Sequence, residues 1–389
     1  MACFKFGEII LPKKLNVSDW AVVACDQYTS DKEYWKNIER GVAEPTALSL
    51  IFPECYLSND NSQRIAKIIE KQNEYLDSGV FENVEGTILV KRSTPFGNER
   101  WGLMCLVDLD EYSAKAGGKT LIRATEGLVE SRIPPRVEIR KNCPIELPHV
   151  MLLIDDEEGT VIEPLKEKGE IIYDGDLNGN GGHITGYNVK DVSSVTTALN
   201  ELLSKSVQKY GEELLFLVGD GNHSLATAKA CRKDSNPLSK YALVEVVNIY
   251  DSGLKFEPIH RVIFGVDNKA FIDGLKEKMA SYNGKTVIYD GSKPIEIAFP
   301  EDPIEGVKLT QDYIDAYLSE HKGEVDYIHG DETLKEISER DSAVGIALKA
   351  IDKATFFNFV VKNGVLPRKT FSMGEADEKR YYMEGRKVK

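Results

Sequence analysis

The chain has 389 residues, of which 42% are apolar and 29% are charged, proportions typical of a globular protein with more than one buried core. Its 49 basic and 63 acidic residues give a formal net charge of −14, which disfavours a dedicated nucleic-acid or anionic-membrane binder. No apolar run approaches the ~20 residues of a membrane-spanning helix, and we expect no signal peptide in residues 1–14. Six scattered cysteines without C-x-x-C spacing predict reduced thiols in a cytoplasmic protein.

Apolar periodicity and turn residues predict an N-terminal α/β part over residues 1–148. The elements expected there are a strand over residues 21–25, a helix capped by Ser30 or Asp31, a helix over residues 59–78, and a hairpin of residues 86–92 and 101–108. Prolines 134 and 135 are expected in a loop.

The middle part, residues 149–265, alternates strands and helices as α/β domains do. The expected elements are strands over residues 149–154, 214–218 and 241–249, helices over residues 191–210 and 224–232, and a Gly/Asn/Asp loop over residues 175–186. For residues 266–389 we expect helices at 268–281, 309–321 (capped by Thr310) and 352–362, and extended segments at 286–290, 295–299, 325–329 and 343–350.

The sharpest chemical signal is the turn Asp220-Gly221-Asn222-His223-Ser224, between an apolar strand and a helix. The unpaired N–H groups of a helix start suit an anion such as phosphate, and glycine lets a ligand approach the backbone. His223 can transfer a proton or hold a phosphate oxygen, and Asp220 can orient it or help to hold a divalent cation. The same residues fit an ordinary helix cap and turn equally well.

An arginine-rich segment, residues 123–140, is a second candidate anion site in this acidic chain. Ordinary surface ion pairing is the favoured interpretation of this segment. It would join Arg132, Arg136 and Arg140 to glutamates 126, 130 and 138.

Two weaker signals lie elsewhere. The Gly-rich loop with His183 is a weak candidate phosphate cradle, since such loops are more often plain turns. Cys25 follows an apolar strand, and a buried, inert thiol is the favoured interpretation over a nucleophile.

At the GDGNH turn the chain resembles the prokaryotic family of domains of unknown function numbered ten-fifteen. That family carries Asp-Gly-His-His-Arg before a helix, where this chain has Asn222 and Ser224 in place of the first His and the Arg. The resemblance continues in order through AVVACDQYTSDKEYW, LIRATEGLVESRIPPRVEIR (with Ala124-Thr-Glu126 where the family has His-Glu-x-Thr), GNGGHITGYNV, VVNIYDSGLKFEPIHRVI and NGVLPRKTFSM.

The resemblance implies a mixed α/β fold with a ParB/sulfiredoxin-like core over residues 149–265 and flanking α/β parts. It also implies similarity to free serine kinases, and hence phosphoryl transfer or phosphate-ester chemistry on a small polar metabolite such as serine or phosphoserine, with ATP or ADP and Mg²⁺. The site residues expected on this basis are Asp220, His223 and Glu126 for catalysis, with Gly221, Asn222, Ser224, Arg132, Arg136, Arg261, His260 and His183 for phosphate or nucleotide.

Two other functions fit the same sequence. One is a non-catalytic nucleotide- or metabolite-binding regulator with a ParB-like fold. The other is a DNA-associated factor, which is disfavoured because no basic stripe or helix-turn-helix is found. We expect a small-molecule substrate and no membrane partner, and homo-oligomerisation is compatible with the sequence.

Overall fold

The computed structural model of the chain describes residues 3–166, 168–367 and 369–389. The chain forms two compact units, the first of Met1–Leu254, Val360–Val365 and Ala376–Lys389, the second of Lys255–Phe359 and Leu366–Glu375. Both units combine helices with sheets, which confirms the expected mixed α/β class. No helix in the described ranges is long and apolar enough to cross a bilayer.

The helices follow the apolar periodicity and the capping residues of the sequence. The α-helices of the described residues are Val17–Trp20, Lys32–Gly41, Ser62–Asp77, Ile133–Arg140, Ser193–Tyr210, Asn222–Ala230, Asn268–Met279, Pro303–Glu320, Asp331–Arg340 and Lys353–Asn363. Short 3-10 helices are Ala47–Leu50, Glu54–Tyr56, Leu109–Glu111, Glu130–Arg132, Glu163–Leu165, Pro237–Lys240 and Ala376–Glu378. Asp31 caps the second α-helix, as expected, because its carboxylate accepts from the N–H groups of Glu33 and Tyr34.

A ten-stranded sheet forms the centre of the first unit. Its strands, in spatial order, are Glu170–Asp176, His183–Val189, Thr87–Ser93, Glu99–Asp108, Tyr241–Asn248, Met151–Ile154, Phe216–Asp220, Ile122–Arg123 and Tyr112–Ser113, with Phe4–Lys5 also paired to Glu99–Asp108. Strand Met151–Ile154 is fully buried and runs parallel to Tyr241–Asn248 and antiparallel to Phe216–Asp220. The predicted hairpin of residues 86–92 and 101–108 is confirmed.

The second unit contains a six-stranded sheet. The order is Lys293–Phe299, Gly284–Asp290, Val344–Ile346, Phe256–Phe264 and Glu324–His329, with Phe371–Met373 paired to the other end of Phe256–Phe264. The apolar side chains of this unit form a core of their own around Phe271, Phe299 and Ile346.

The C-terminal segment Ala376–Lys389 belongs to the first unit, where it forms paired strands and buried ion pairs. Strand Tyr381–Tyr382 pairs with Val22–Val23, and Arg386–Lys387 pairs with Ile145–Glu146. Arg380 is buried and its guanidinium lies 3.2 Å from the carboxylate of Glu245 and 2.5 Å from that of Glu384. The segment therefore has one defined path across the first unit, and that path positions two residues of the site described below.

Three expectations from the sequence were wrong. Residues 175–186 are not one loop, because strands Glu170–Asp176 and His183–Val189 enclose a much shorter turn. Helix Pro303–Glu320 begins before residue 309 and is capped by Asp302, while Thr310 is buried within it. Prolines 134 and 135 lie in the first turn of helix Ile133–Arg140, where the missing N–H of proline costs no hydrogen bond.

The three ranges expected from the sequence, residues 1–148, 149–265 and 266–389, stay a prediction beside these two units. Strands on both sides of residue 148 belong to one sheet, and the second unit begins at Lys255. A ParB/sulfiredoxin-like core over residues 149–265 stays a prediction.

Candidate functional site

The turn after strand Phe216–Asp220 is the centre of the candidate site. Gly221 has a φ of +84° and precedes helix Asn222–Ala230, which starts without a side-chain cap. A Cβ at Gly221 would lie 3.0 Å from the Cα of Val150, so this turn needs glycine for both its conformation and its close backbone approach. The uncapped helix start carries the partial positive charge that favours an anion.

The start of the arginine-rich segment contacts this turn directly. The N–H of Thr125 donates to the side-chain oxygen of Asn222 at 3.3 Å, and the Thr125 hydroxyl donates to the carbonyl of Val218 at 2.6 Å. The N–H of Val129 donates to Nε2 of His223 at 3.0 Å. Because a backbone N–H can only donate, Nε2 is the acceptor and the neutral ring carries its proton on Nδ1. Glu126 lies between these two contact points in the chain.

Asp220 is held by two donors in the structure. One carboxylate oxygen accepts from the N–H of Gly221 at 2.8 Å, and the other lies 3.2 Å from the ammonium of Lys379. Lys379 comes from the C-terminal segment, and its side chain is largely buried.

Asp26 is a second carboxylate whose pKa is lowered by the charge of Lys379. Burial acts to raise its pKa, but the charges of His149 and Lys379 and a hydrogen bond from Gln27 together lower the pKa below its usual value. Asp26 is therefore ionised at neutral pH, and a lysine and two carboxylates are electrostatically linked at this place.

A buried tyrosine and a histidine follow next to Asp26. The Tyr382 oxygen accepts from the N–H of Cys25 at 3.2 Å and lies 2.8 Å from Nδ1 of His149. Burial raises the pKa of Tyr382 far above its usual value, so its hydroxyl stays protonated at neutral pH. Burial and the nearby Asp26 also raise the pKa of Cys25, which leaves a thiol of low reactivity, in line with the inert interpretation of that residue.

Cys25 and Tyr382 border a cleft of about 130 Å³, whereas Asp26, Asp220 and Lys379 are not among its lining residues. Ser224 and His149 line it, as does the ion pair between Arg136 and Glu54. Burial raises the pKa of Glu54 against the lowering effect of Arg136. A cleft of this size fits a small molecule, and its mixture of charged and apolar walls can hold a polar one.

The local pairing expected for the arginine-rich segment is wrong for two arginines. Arg136 pairs with Glu54, and Arg140 lies 2.7 Å from the carboxylate of Glu146. The cause is tertiary, since helix Ile133–Arg140 packs against helix Asn222–Ala230 and directs these side chains into the cleft region. Arg132 is exposed, and its carbonyl accepts from Arg136 at 2.7 Å.

Other expected site residues lie apart from the turn. His183 faces Asp176 at 2.7 Å and Asp174 at 3.1 Å within its own hairpin, and the hydrogen bonds to these aspartates raise its pKa.

His260 and Arg261 belong to the second unit, where both are buried. Arg261 donates to Gln311 at 3.0 Å and to the carbonyl of Lys369 at 3.0 Å, so its guanidinium is engaged within that unit. Arg368, in the Leu-Pro-x-Lys segment that carried part of the resemblance, lies outside the described residues.

Sequence reasoning missed four residues of the site: Asp26, His149, Lys379 and Tyr382. Only Asp26 had a local signal, because it follows an apolar strand at the start of a polar turn. The described residues contain no group of three or more histidine, cysteine or acidic side chains placed to hold a metal ion. A Mg²⁺ that arrives with a nucleotide needs fewer protein ligands, since one or two carboxylates and the phosphates are usual.

The chain was compared with known proteins. No curated protein matches it. Among solved structures it is similar to a conserved hypothetical protein from Pyrococcus furiosus (15% identity, TM-score 0.36, covering 72% of this chain and 90% of that one). It is also similar to a free serine kinase in complex with AMP (14%, 0.39, 73% and 91%) and to C-terminally truncated SbnI from Staphylococcus aureus (11%, 0.37, 70% and 82%). At these identities and TM-scores the matches do not assign a ligand to this chain.

The comparison with protein-family models covers more of the chain. The model of the family described as "Protein of unknown function (DUF1015)" matches residues 6–381, which include every motif that carried the resemblance. The chain therefore belongs to the DUF1015 family.

Proposed function

We propose that the first unit binds the phosphates of a nucleotide at the turn Asp220–Ser224 and transfers a phosphoryl group to or from a small polar metabolite. The observation that supports this most is the Lys379 ammonium, 3.2 Å from Asp220 at the uncapped start of helix Asn222–Ala230. An ammonium and a helix start that converge on one point favour a phosphate group.

Phosphate binding changes what Asp220 can do. A bound phosphate pairs with the Lys379 ammonium and draws the ammonium away from Asp220. The Asp220 carboxylate is then able to orient a hydroxyl group of the metabolite and accept its proton. The hydroxyl oxygen forms a bond to phosphorus while the bond from phosphorus to the nucleotide oxygen breaks. His223, with its proton on Nδ1, donates a hydrogen bond to a phosphate oxygen. Glu126, between Thr125 and Val129 in the chain, is the second carboxylate of the proposal.

The expected nucleotide is ATP or ADP, and serine or phosphoserine is the expected partner molecule. The cleft that Ser224 lines, about 130 Å³ in volume, has room for a metabolite of that size. Asp26 is the residue that would hold Mg²⁺, because it is an ionised carboxylate near Lys379, and Asp220 would be a second ligand only in place of its role as proton acceptor. Bound Mg²⁺ would supply neutralisation of phosphate charge.

The test incubates the full chain with Mg²⁺, serine or phosphoserine, and ATP or ADP, and follows the products by phosphorus NMR. We expect Lys379→Met and His223→Ala each to lower the rate by roughly a hundredfold or more, the usual effect of losing one charge-stabilising or proton-handling group. Lys190→Met is the matched control, since Lys190 is exposed and pairs only loosely with Glu170 at 3.6 Å.

Two results would count against the assignment. Turnover unchanged in His223→Ala and Lys379→Met would refute the site. Tight ADP binding, measured by calorimetry, without turnover over a broad metabolite panel would favour a nucleotide-binding regulator instead of an enzyme.

A further inference from the structure

The first unit contains a larger cavity that the proposed function does not use. Its volume is about 480 Å³, within the usual range of ligand pockets, whereas the cleft at the candidate site measures about 130 Å³. The two share Ile51 as a lining residue, so they are neighbouring but separate spaces.

One wall of this cavity is cationic. Arg64, Lys67 and Lys71 line it from helix Ser62–Asp77, where their spacing of three and four residues places them on one face. The guanidinium of Arg64 lies 4.2 Å from the centre of the Tyr56 ring, a cation–π contact that limits its motion. In a chain of net charge −14, these three cations give an anion positive groups to contact in one cavity, which Glu39 and Glu44 also line.

The remaining walls combine apolar side chains with polar and acidic ones. Trp35, Ile51 and Ile68 contribute apolar surface, and Trp35 is almost fully buried. The acidic residues are Glu39 and Glu44, and Glu44 accepts a hydrogen bond from Ser49 at 2.6 Å.

Lys71 also pairs with a carboxylate outside the cavity lining, that of Glu74 at 2.9 Å. Cations still exceed carboxylates among the lining residues, and they lie together on one helix. A ligand that matches these walls carries a negative group at the helix and an apolar body against Trp35 and the isoleucines.

We propose that this cavity binds a small organic anion, a carboxylate or a phosphate ester with an apolar body, at a site distinct from the turn Asp220–Ser224. The negative group contacts Arg64 and Lys67, and the apolar body fills the space toward Ile51. This site does not depend on the phosphoryl-transfer proposal, because none of its cationic residues belongs to the candidate site.

The test uses the fluorescent aromatic sulfonate 8-anilinonaphthalene-1-sulfonate as a probe of the full-length chain. We expect saturable binding to the wild type, weakened roughly fivefold or more by Lys67→Glu and by Arg64→Glu. Ser49→Trp, which fills the cavity without changing its charge, should also reduce binding. Lys14→Glu makes the same charge change on an exposed residue outside the lining and should leave binding unchanged.

Two further arms locate the site and identify the anion. Lys379→Met should bind the probe as the wild type does, so that failure of the phosphoryl-transfer proposal does not affect this result. Displacement of the probe by benzoate indicates a carboxylate site, and displacement by phenyl phosphate indicates a phosphate-ester site. The proposal is overturned if neither displaces the probe, or if Lys14→Glu weakens binding as much as Lys67→Glu.

Discussion

Replacing Gly221 with alanine tests whether the candidate turn depends on a close backbone approach. Gly221 has a φ of +84°, and an added Cβ would lie 3.0 Å from both Cα and Cγ2 of Val150. Ordinary carbon contacts are about 3.5–4.0 Å, so the substitution forces either the turn or the adjoining strand to move. Gly211 is a matched control, because its φ is +77° and a Cβ there would meet nothing within 4 Å.

The difference between the two variants isolates the contact with Val150. The left-handed conformation costs an alanine about 1–2 kcal/mol, and this cost applies to both positions. Overpacking against a buried backbone adds roughly 1–3 kcal/mol at Gly221 alone. We therefore expect Gly211→Ala to lower the free energy of unfolding by about 1–2 kcal/mol, and Gly221→Ala to lower it by roughly 2–5 kcal/mol.

Urea unfolding followed by tryptophan fluorescence measures this difference, because all three tryptophans, Trp20, Trp35 and Trp101, lie in the first unit. A change in the midpoint with an unchanged slope shows a loss of stability without a change in the unfolded state. Equal losses in the two variants would refute the close approach at Gly221. A larger loss in Gly211→Ala would refute the description of the turn itself.

Three further predictions concern charges. Glu384→Gln removes the carboxylate 2.5 Å from the buried guanidinium of Arg380, which keeps Glu245 at 3.2 Å, and should cost about 1.5–3 kcal/mol of stability in urea unfolding. A loss below about 1 kcal/mol would contradict the buried pair. His183 should titrate by NMR above the ordinary histidine pKa of about 6.5, because its hydrogen bond to Asp176 raises the pKa, and Asp176→Asn should return the pKa toward 6.5. The stabilising contribution of His183 is complete below about pH 6.5 and is lost as the pH rises through the higher folded pKa. His260 should titrate with a pKa below 6.5, because burial lowers its pKa. The stability of the protein therefore falls as the pH drops from 6.5 toward the pKa of the folded state. A His260 pKa above 6.5 would contradict its burial.

Much of the local structure was predictable because its determinants are local. The isoleucine spacing predicts helix Ser62–Asp77, and the apolar runs predict the hairpin of Thr87–Ser93 and Glu99–Asp108. The predictions failed where a pattern was ambiguous. Glycines and asparagines in residues 175–186 concealed a hairpin, and prolines concealed the start of helix Ile133–Arg140.

The sequence by itself determined the mixed α/β class and several of the helices and strands of the first unit, and it proposed the turn Asp220–Ser224 as a candidate anion site. Only the tertiary structure decided which side chains join that turn. Thr125 meets Asn222 across 97 residues of chain, and Tyr382 meets His149 across 233. Periodicity and capping act over a few residues, whereas such contacts depend on which strands pair in the sheet and on the path of the C-terminal segment. For that reason the sequence could propose an anion site at the turn but could not assign Lys379 and Asp26 to it, or place Arg261 in the other unit.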